Sequence, residues 1–348
     1  MIKAGVVGYG GLGHVHANGL HRVPDVQIVA VCDKRPEQLT AKEVAINVQT
    51  GGGDFDVSTA RTYTDYRAML AKESLDVMVL ALPTDLHAEY AILAMEAGCH
   101  AFGEKPMALT TAQCDRMIAA RDRTGRQLQI AQCLRFWPEY IALRAAIETG
   151  TYGRLLSLTM ERIGAYAGWA SENWFNDHRR SGGAIHDLHL HDVDWAFHAL
   201  GKPTSLVAAG RVGHTGGIDD VTALWDYADG PLVTMRASWM YAGFTMNYRA
   251  MFEKAVFDFG IPPEPDLHIF DHATKIRTKV ALEPANAYQR ELEYFLDCVR
   301  GKHRNTRCTA ESTRDSVRLV ELERESIAKQ KRLKPTGLLS RRRDTPWK

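Results

Sequence analysis

The chain has 348 residues, enough for two ordinary domains. Its 43 basic and 42 acidic side chains leave a net charge of +1, so the basic excess of a nucleic-acid binder is missing. Hydrophobic residues make up 45%, as in globular proteins, yet the longest apolar run past the N-terminus, 77–82, is far short of a membrane span. The densest basic cluster, Arg341-Arg342-Arg343, reads as a solvated tail. Six cysteines (Cys32, Cys99, Cys114, Cys133, Cys298, Cys308) form no C-x-x-C pair and suit buried thiols in a reducing compartment. With no leader pattern at Met1, the expected location is the cytoplasm.

Up to about residue 130, short apolar runs (2–8, 27–33, 76–82, 100–102, 127–131) alternate with amphipathic stretches. His87-x-x-Tyr90-Ala91-x-x-Ala94-Met95 and Cys114-x-x-Met117-Ile118 have helical spacing. Strands alternating with helices predict right-handed βαβ units and a doubly wound parallel sheet. The polar stretch 47–59, with Gly51-Gly52-Gly53, has no strand before it and reads as a surface insertion. Beyond residue 150, strand-like runs at 155–163, 205–212, 221–227, 232–239, 244–252 and 255–259 follow one another without intervening helices. They predict an α+β domain with a largely antiparallel sheet. A last helix at 288–298 precedes Arg300-Gly301. The expected domains are 1–125, dinucleotide-binding, and 126–348, substrate-binding and oligomerisation.

The first strand ends in Gly8-Tyr9-Gly10-Gly11-Leu12-Gly13, a G-x-G-x-x-G that opens a helix, and Asp33 closes the next strand. This is the Rossmann fingerprint: Gly8 for the tight turn, Gly10 for close approach to pyrophosphate, Gly13 for helix–strand packing. Asp33 suits the adenine-ribose hydroxyls of NAD. Against the extra phosphate of NADP it would cost about 4 kcal/mol at 4 Å and an effective dielectric near 20. Lys34 and Arg35 could swing to such a phosphate, so NAD is expected and NADP stays possible.

Two further segments are Leu82-Pro83-Thr84-Asp85-Leu86-His87, followed by Phe102-Gly103-Glu104-Lys105-Pro106, and Gly182-Gly183-Ala184-Ile185-His186-Asp187-Leu188-His189-Leu190-His191-Asp192-Val193-Asp194. With the glycine loop, they resemble the Gfo/Idh/MocA oxidoreductases, among them inositol dehydrogenase and glucose–fructose oxidoreductase. The likeness runs from residue 2 to about 200. It implies an NAD(P)-dependent dehydrogenase or reductase acting on CH–OH groups of a sugar, an inositol-like polyol or a sugar derivative. Lys105, Asp187 and His191 are implied for catalysis and substrate binding, Asp194 and Tyr288 for the substrate. Leu82, Pro83, Thr84, His87, Glu104 and Lys105 are implied beside the cofactor, Glu104 at the nicotinamide ribose.

The chemistry of these residues agrees. Lys105 follows the fifth strand at the carboxyl edge of the sheet, where a cation can stabilise a developing alkoxide. Asp187, His191 and Asp194, spaced i, i+4 and i+7, would share one face of a helix beginning near Gly182-Gly183. His191 suits general base duty. His186 and His189 stand where many family members carry an aliphatic and a small residue. His191 and Asp187 are needed for the hydride chemistry and no Cys is nearby, so no metal is expected in this cluster. Trp137, Tyr166, Trp169 and Trp174 are candidate sugar platforms or core aromatics in equal measure. A non-catalytic dinucleotide-binding sensor would lack the lysine and histidine. A reductase of a non-sugar substrate such as a dihydrodiol would depart from Asp-x-x-x-His. Trp239, Met240, Tyr241 and Phe244 suggest an apolar sheet face and a homodimer or homotetramer.

Overall fold

A computed structural model describes residues 1–40, 55–168 and 170–339. The glycines at 51–53, Trp169 and the arginines at 341–343 lie outside the described residues. The chain divides into two compact units. The first joins Met1–Cys133 to Asn286–Arg314; the second joins Leu134–Ala285 to the chain from Asp315 on. The first segment ends at Cys133, eight residues past the expected boundary at 125, and a later stretch returns to the first unit.

Among the described residues the first unit holds six parallel strands, β1 (Ile2–Val7), β2 (Val26–Cys32), β3 (Arg61–Tyr63), β4 (Val77–Leu80), β5 (His100–Gly103) and β6 (Leu128–Ile130), in the order β3-β2-β1-β4-β5-β6. Helices α1 (Gly11–Arg22), α2 (Tyr66–Lys72), α3 (His87–Glu96) and α4 (Thr111–Thr124) make the crossovers. The central strands β4 and, from Ala4 on, β1 are buried, which is why they read as unbroken apolar runs. β3 was not legible: it is three residues long and its side chains are largely exposed. The reverse of the doubly wound order falls between β1 and β4, so the turn after β1 opens at the topological switch point.

Helix α9 (Ala287–Val299) explains the return of the chain. Leu292, Phe295 and Leu296 are fully buried in one cluster with Ala4, Val6, Leu20, Val79 and Phe102. The rings of Phe102 and Phe295 lie 5.4 Å apart. Burying those three side chains stabilises the unit by about 1.5–3 kcal/mol each.

The second unit is built on eight strands: β7 (Leu155–Ile163), β8 (Ser205–Val212), β9 (Ile218–Asp226), β10 (Leu232–Ser238), β11 (Thr245–Phe252), β12 (Ala255–Phe259), β13 (His268–Asp271) and β14 (Arg277–Lys279). Their order is β14-β13-β12-β11-β7-β10-β9-β8, and only the β7–β10 pair is parallel. Alternate residues such as Leu158, Met160, Ala223, Trp225, Met235 and Tyr248 are buried, while Leu156, Leu232 and Met251 are exposed. The unit also holds α5 (Pro138–Thr149), α6 (His178–Ser181), α7 (Ala184–Asp187) and α8 (Leu190–Leu200). Tyr140 of α5 meets Trp195 of α8 edge-on at 5.4 Å.

The helix at 288–298 is not the last. Helix α10 (Ala310–Lys329) follows it. Its buried face mixes Val317, Leu319, Val320 and Leu322 with Thr313, Asp315, Ser316, Glu323 and Ser326, so apolar periodicity does not reveal it. All six cysteines are buried thiols. Among the described residues, no helix is long and apolar enough to cross a membrane.

Candidate active site

The turn between β1 and α1 is dictated by its glycines. Gly8 has φ +83°, and a Cβ there would lie 2.1 Å from the Ala81 carbonyl oxygen. A Cβ on Gly13 would lie 1.9 Å from the carbonyl oxygen of Gly8. A Cβ on Gly10 would meet nothing within 4 Å: this part of the turn faces open space, while Gly11 and Leu12 are half-buried beside it. No side chain caps the N-terminus of α1 and no acid sits in its first turn. Its first N–H groups and the positive end of its dipole therefore suit a pyrophosphate.

Asp33 follows β2 and is buried. Its Oδ2 accepts the Tyr9 N–H at 2.8 Å and its Oδ1 accepts the Arg35 N–H at 2.9 Å. The Arg35 Nε lies 3.4 Å from the same carboxylate, so this guanidinium is drawn to Asp33, while Lys34 is exposed. Open backbone at Gly10, an uncapped helix end and a carboxylate closing β2 together fit a dinucleotide.

Because all six strands are parallel, the residues after β5 share an edge with the glycine turn. Glu104 is buried there; its Oε1 lies 2.6 Å from His16 Nε2 and its Oε2 accepts the Lys105 N–H at 3.2 Å. Burial alone would raise the pKa of Glu104, but the hydrogen bond and charge of His16, with Lys105 nearby, outweigh it and hold the carboxyl below its ordinary range. Lys105 is half-buried. His87 is buried, with Nδ1 2.6 Å from the Pro106 carbonyl and Nε2 2.8 Å from the Leu82 carbonyl. It ties the loop after β4 to the loop after β5, and burial pushes its pKa down. Leu82 and Pro83 are half-buried and Thr84 is buried. Tyr288, half-buried, opens α9, where the Asn286 side chain accepts the N–H groups of Tyr288 and Gln289 at 3.0 and 3.2 Å.

His16 was missed in the sequence. It lies one turn beyond Gly13 on the buried stripe Gly13, His16, Ala17, Leu20. A lone imidazole in such an apolar stripe is the signal that could have found it.

In the second unit the single helix expected from Gly182-Gly183 onward is broken. Gly182 and Gly183 have φ +83° and +76°, and a Cβ on Gly182 would lie 2.4 Å from that of His186. α7 ends at Asp187, and α8 starts at Leu190. Across the break, the His189 N–H donates five residues back to Ala184 O at 2.9 Å, and the His191 N–H reaches only Leu188 O at 3.4 Å. Asp187 is buried at the end of α7, and His191 is half-buried in the first turn of α8. They do not stand at i and i+4 of one regular helix.

Asp194, expected at the sugar, is half of a buried ion pair. Arg135 donates to its two oxygens at 2.8 and 2.6 Å, and the Ser316 hydroxyl donates at 2.7 Å. The two paired side chains are 0% and 1% exposed. His189 Nε2 lies 2.8 Å from Glu323 Oε2, both groups fully buried. His186 is fully buried. Trp174 stacks on Phe175 at 3.8 Å, and the Tyr166 hydroxyl donates to Asp219 at 3.3 Å. Trp137 is half-buried at the entry to α5. Among the described residues, no group of three His, Cys, Asp or Glu could hold a metal ion.

Two family models match this chain. Residues 2–132 match "Oxidoreductase family, NAD-binding Rossmann fold" and residues 140–258 match "GFO/IDH/MocA C-terminal domain". The chain belongs to the Gfo/Idh/MocA family of NAD-binding oxidoreductases. It is 27% identical over 291 residues to an uncharacterized oxidoreductase of Rhizobium meliloti, covering 78% of this chain and 86% of that one. It is 32% identical over 157 residues to inositol 2-dehydrogenase of Salmonella typhimurium, a match that spans 44% of each protein. In fold it resembles the WlbA dehydrogenase of Bordetella pertussis, solved with NADH and UDP-GlcNAcA, with a TM-score of 0.79 and 23% identity. That match covers 97% of this chain and 99% of the other.

Proposed function

We propose that this enzyme transfers a hydride between the nicotinamide of NAD and a carbinol or carbonyl carbon of a sugar, an inositol-like polyol or a sugar derivative. The observation that carries the reading is Lys105 after β5, on the same sheet edge as the open glycine turn after β1. Relatives named inositol 2-dehydrogenase and D-glucoside 3-dehydrogenase support the substrate class.

NAD, when bound, supplies the hydride acceptor, or its reduced form the donor. In the oxidative direction Lys105 holds the substrate oxygen and stabilises the alkoxide as it forms. His191 takes the hydroxyl proton, and Asp187 and Tyr288 grip neighbouring hydroxyls. Glu104, oriented by His16, is assigned to the nicotinamide ribose, with Leu82, Pro83 and Thr84 along the same edge. Asp33 holds the glycine turn through Tyr9 and receives the adenine ribose; the charge of its carboxylate favours NAD over NADP. Asp194 is left out of the substrate site, because Arg135 and Ser316 occupy its oxygens.

Six buried thiols suit a reducing cytoplasm. The exposed Leu156, Leu232, Met240, Tyr241, Phe244 and Met251 suit a homodimer or homotetramer. Light scattering at 38.9 kDa in micromolar solution would remove the assembly.

A panel of polyols and sugars with NAD and NADP, followed by nicotinamide absorbance, tests the function. His191→Ala is expected to lower kcat by about 10² to 10⁴ on the fastest panel substrate and leave NADH affinity intact. A panel on which nothing turns over, or a His191→Ala enzyme at the wild-type rate, overturns the reading.

A further inference from the structure

Helix α10 holds the segment that carries Asp187 and His191 at two points. Arg324 donates to the carbonyl of Gly182, where the segment begins. One residue earlier, Glu323 reaches the break between α7 and α8: its Oε2 lies 2.8 Å from His189 Nε2, and its Oε1 accepts the Trp225 indole N–H at 2.8 Å. Glu323 and His189 are each 0% exposed, as is Trp225. A carboxylate so enclosed needs its full set of donors, and these two divide its oxygens between them.

The main chain of His189 is the pivot of the break. Its N–H goes back to Ala184 O, and its carbonyl accepts the N–H groups of Asp192 and Val193 at 3.1 Å each. The ring therefore anchors the residue from which α8 takes its direction, and His191 stands in the first turn of α8. On the other side, Asp219 of β9 accepts the N–H of Ala184, the first residue of α7, at 3.3 Å. α7 is thus tethered to the sheet and the break to α10.

We propose that the buried Glu323–His189 pair is a positioning device for the active site: it sets the break between α7 and α8 and so the placement of the His191 imidazole relative to Asp187. This inference rests on the catalytic reading of His191. The pair touches no substrate and acts through His191.

The gentlest test is Glu323→Gln in the full-length enzyme. The amide oxygen still accepts the Trp225 N–H, while the carboxylate facing His189 is lost. Misplacing a catalytic group by about 1 Å costs up to about 100-fold, so kcat on the fastest panel substrate should fall about 10- to 100-fold. KM and the Kd for NADH should stay within about twofold. In His189→Gln/Glu323→Gln the two amides can pair, and kcat should return to within about threefold of wild type. In a His191→Ala background, Glu323→Gln should change kcat by less than about twofold, because the group being positioned is gone.

A second readout needs no turnover. In NAD-loaded protein with ¹³C-labelled histidine, the ring signal missing from His191→Ala should move in Glu323→Gln and return in the double glutamine variant. Should Glu323→Gln fail to fold, the same signal is read in His189→Leu, where it should also move.

A wild-type kcat and an unmoved His191 signal in Glu323→Gln overturn the inference. So does an equal loss of kcat in the His191→Ala background. A His191→Ala enzyme at full rate overturns the functional reading instead, and the two failures are distinguished.

Discussion

The glycine turn after β1 and the segment at 182–191 both serve the proposed chemistry, yet they are held in opposite ways. The turn is organised by its own neighbourhood: Gly8 against Ala81, Gly13 against the carbonyl of Gly8, Asp33 on the Tyr9 N–H. The segment is organised from far along the chain, by Asp219, Glu323 and Arg324, with Arg135 and Ser316 on Asp194 below it. A site made of backbone needs particular glycines. A site made of side chains on a broken helix needs buried partners that bring it to one geometry.

The largest effect is expected where the backbone itself is the site. Gly13→Val forces a side chain into the Gly8 carbonyl and should weaken NADH binding more than about 100-fold in a fluorescence titration. Gly10→Ala sharpens the point, since its methyl enters open space. It should leave Tm nearly unchanged while weakening NADH about tenfold, the mark of a cradle rather than a packing contact. Equal losses of stability in both variants would break the distinction.

Next comes the buried pair in the second unit. Arg135→Met leaves Asp194 enclosed and uncompensated and should cost about 3–5 kcal/mol in denaturant unfolding. Arg135→Met/Asp194→Leu should recover most of that loss. An Asp194→Asn enzyme of unchanged stability but raised substrate KM would return Asp194 to the sugar site.

Asp33→Ser should narrow the preference for NADH over NADPH by about tenfold or more, measured as the ratio of Kd values. If the wild type already prefers NADPH, Arg35 is not kept on Asp33 and joins Lys34 as a phosphate ligand.

The smallest effect is electrostatic. Glu291 on α9 is fully buried; burial first, and then the charge of Glu104, raises its pKa well above the usual carboxylate value. The folded state therefore holds this proton more tightly than the unfolded chain. The sign follows: wild-type stability declines as pH rises from the ordinary carboxylate range toward the raised pKa. Glu291→Gln removes that slope. Its Tm should match the wild type near pH 4.5, the ordinary value for Glu, and exceed it at pH 8. A gain that is the same at both values would show that packing, not protonation, sets the cost.

Much of this was legible in the residues. Strands at 155–163, 205–212 and 255–259 emerge with the bounds read from their pattern, because one face of that sheet is buried and alternation survives. The G-x-G-x-x-G turn, Asp33 and the place of Lys105 after β5 were legible because each depends on a few adjacent positions. β3 and β14 were not, being three residues long with exposed side chains. α10 was hidden by the polar side chains on its buried face, among them Glu323, the partner of His189. The i, i+4, i+7 spacing of Asp187, His191 and Asp194 describes one regular helix, and the chain breaks that helix between α7 and α8.

What the sequence alone determined is the alternation of strands and helices before residue 130, the two kinds of sheet and the backbone chemistry of the dinucleotide turn. Local sterics and the periods of strand and helix are written residue by residue. Only the tertiary structure decided that Asp194 belongs to Arg135, that His16 meets Glu104, and that His189 answers to Glu323, 134 residues away. A buried charge must find a partner wherever the fold brings one, and no local period in the chain records which residue that is.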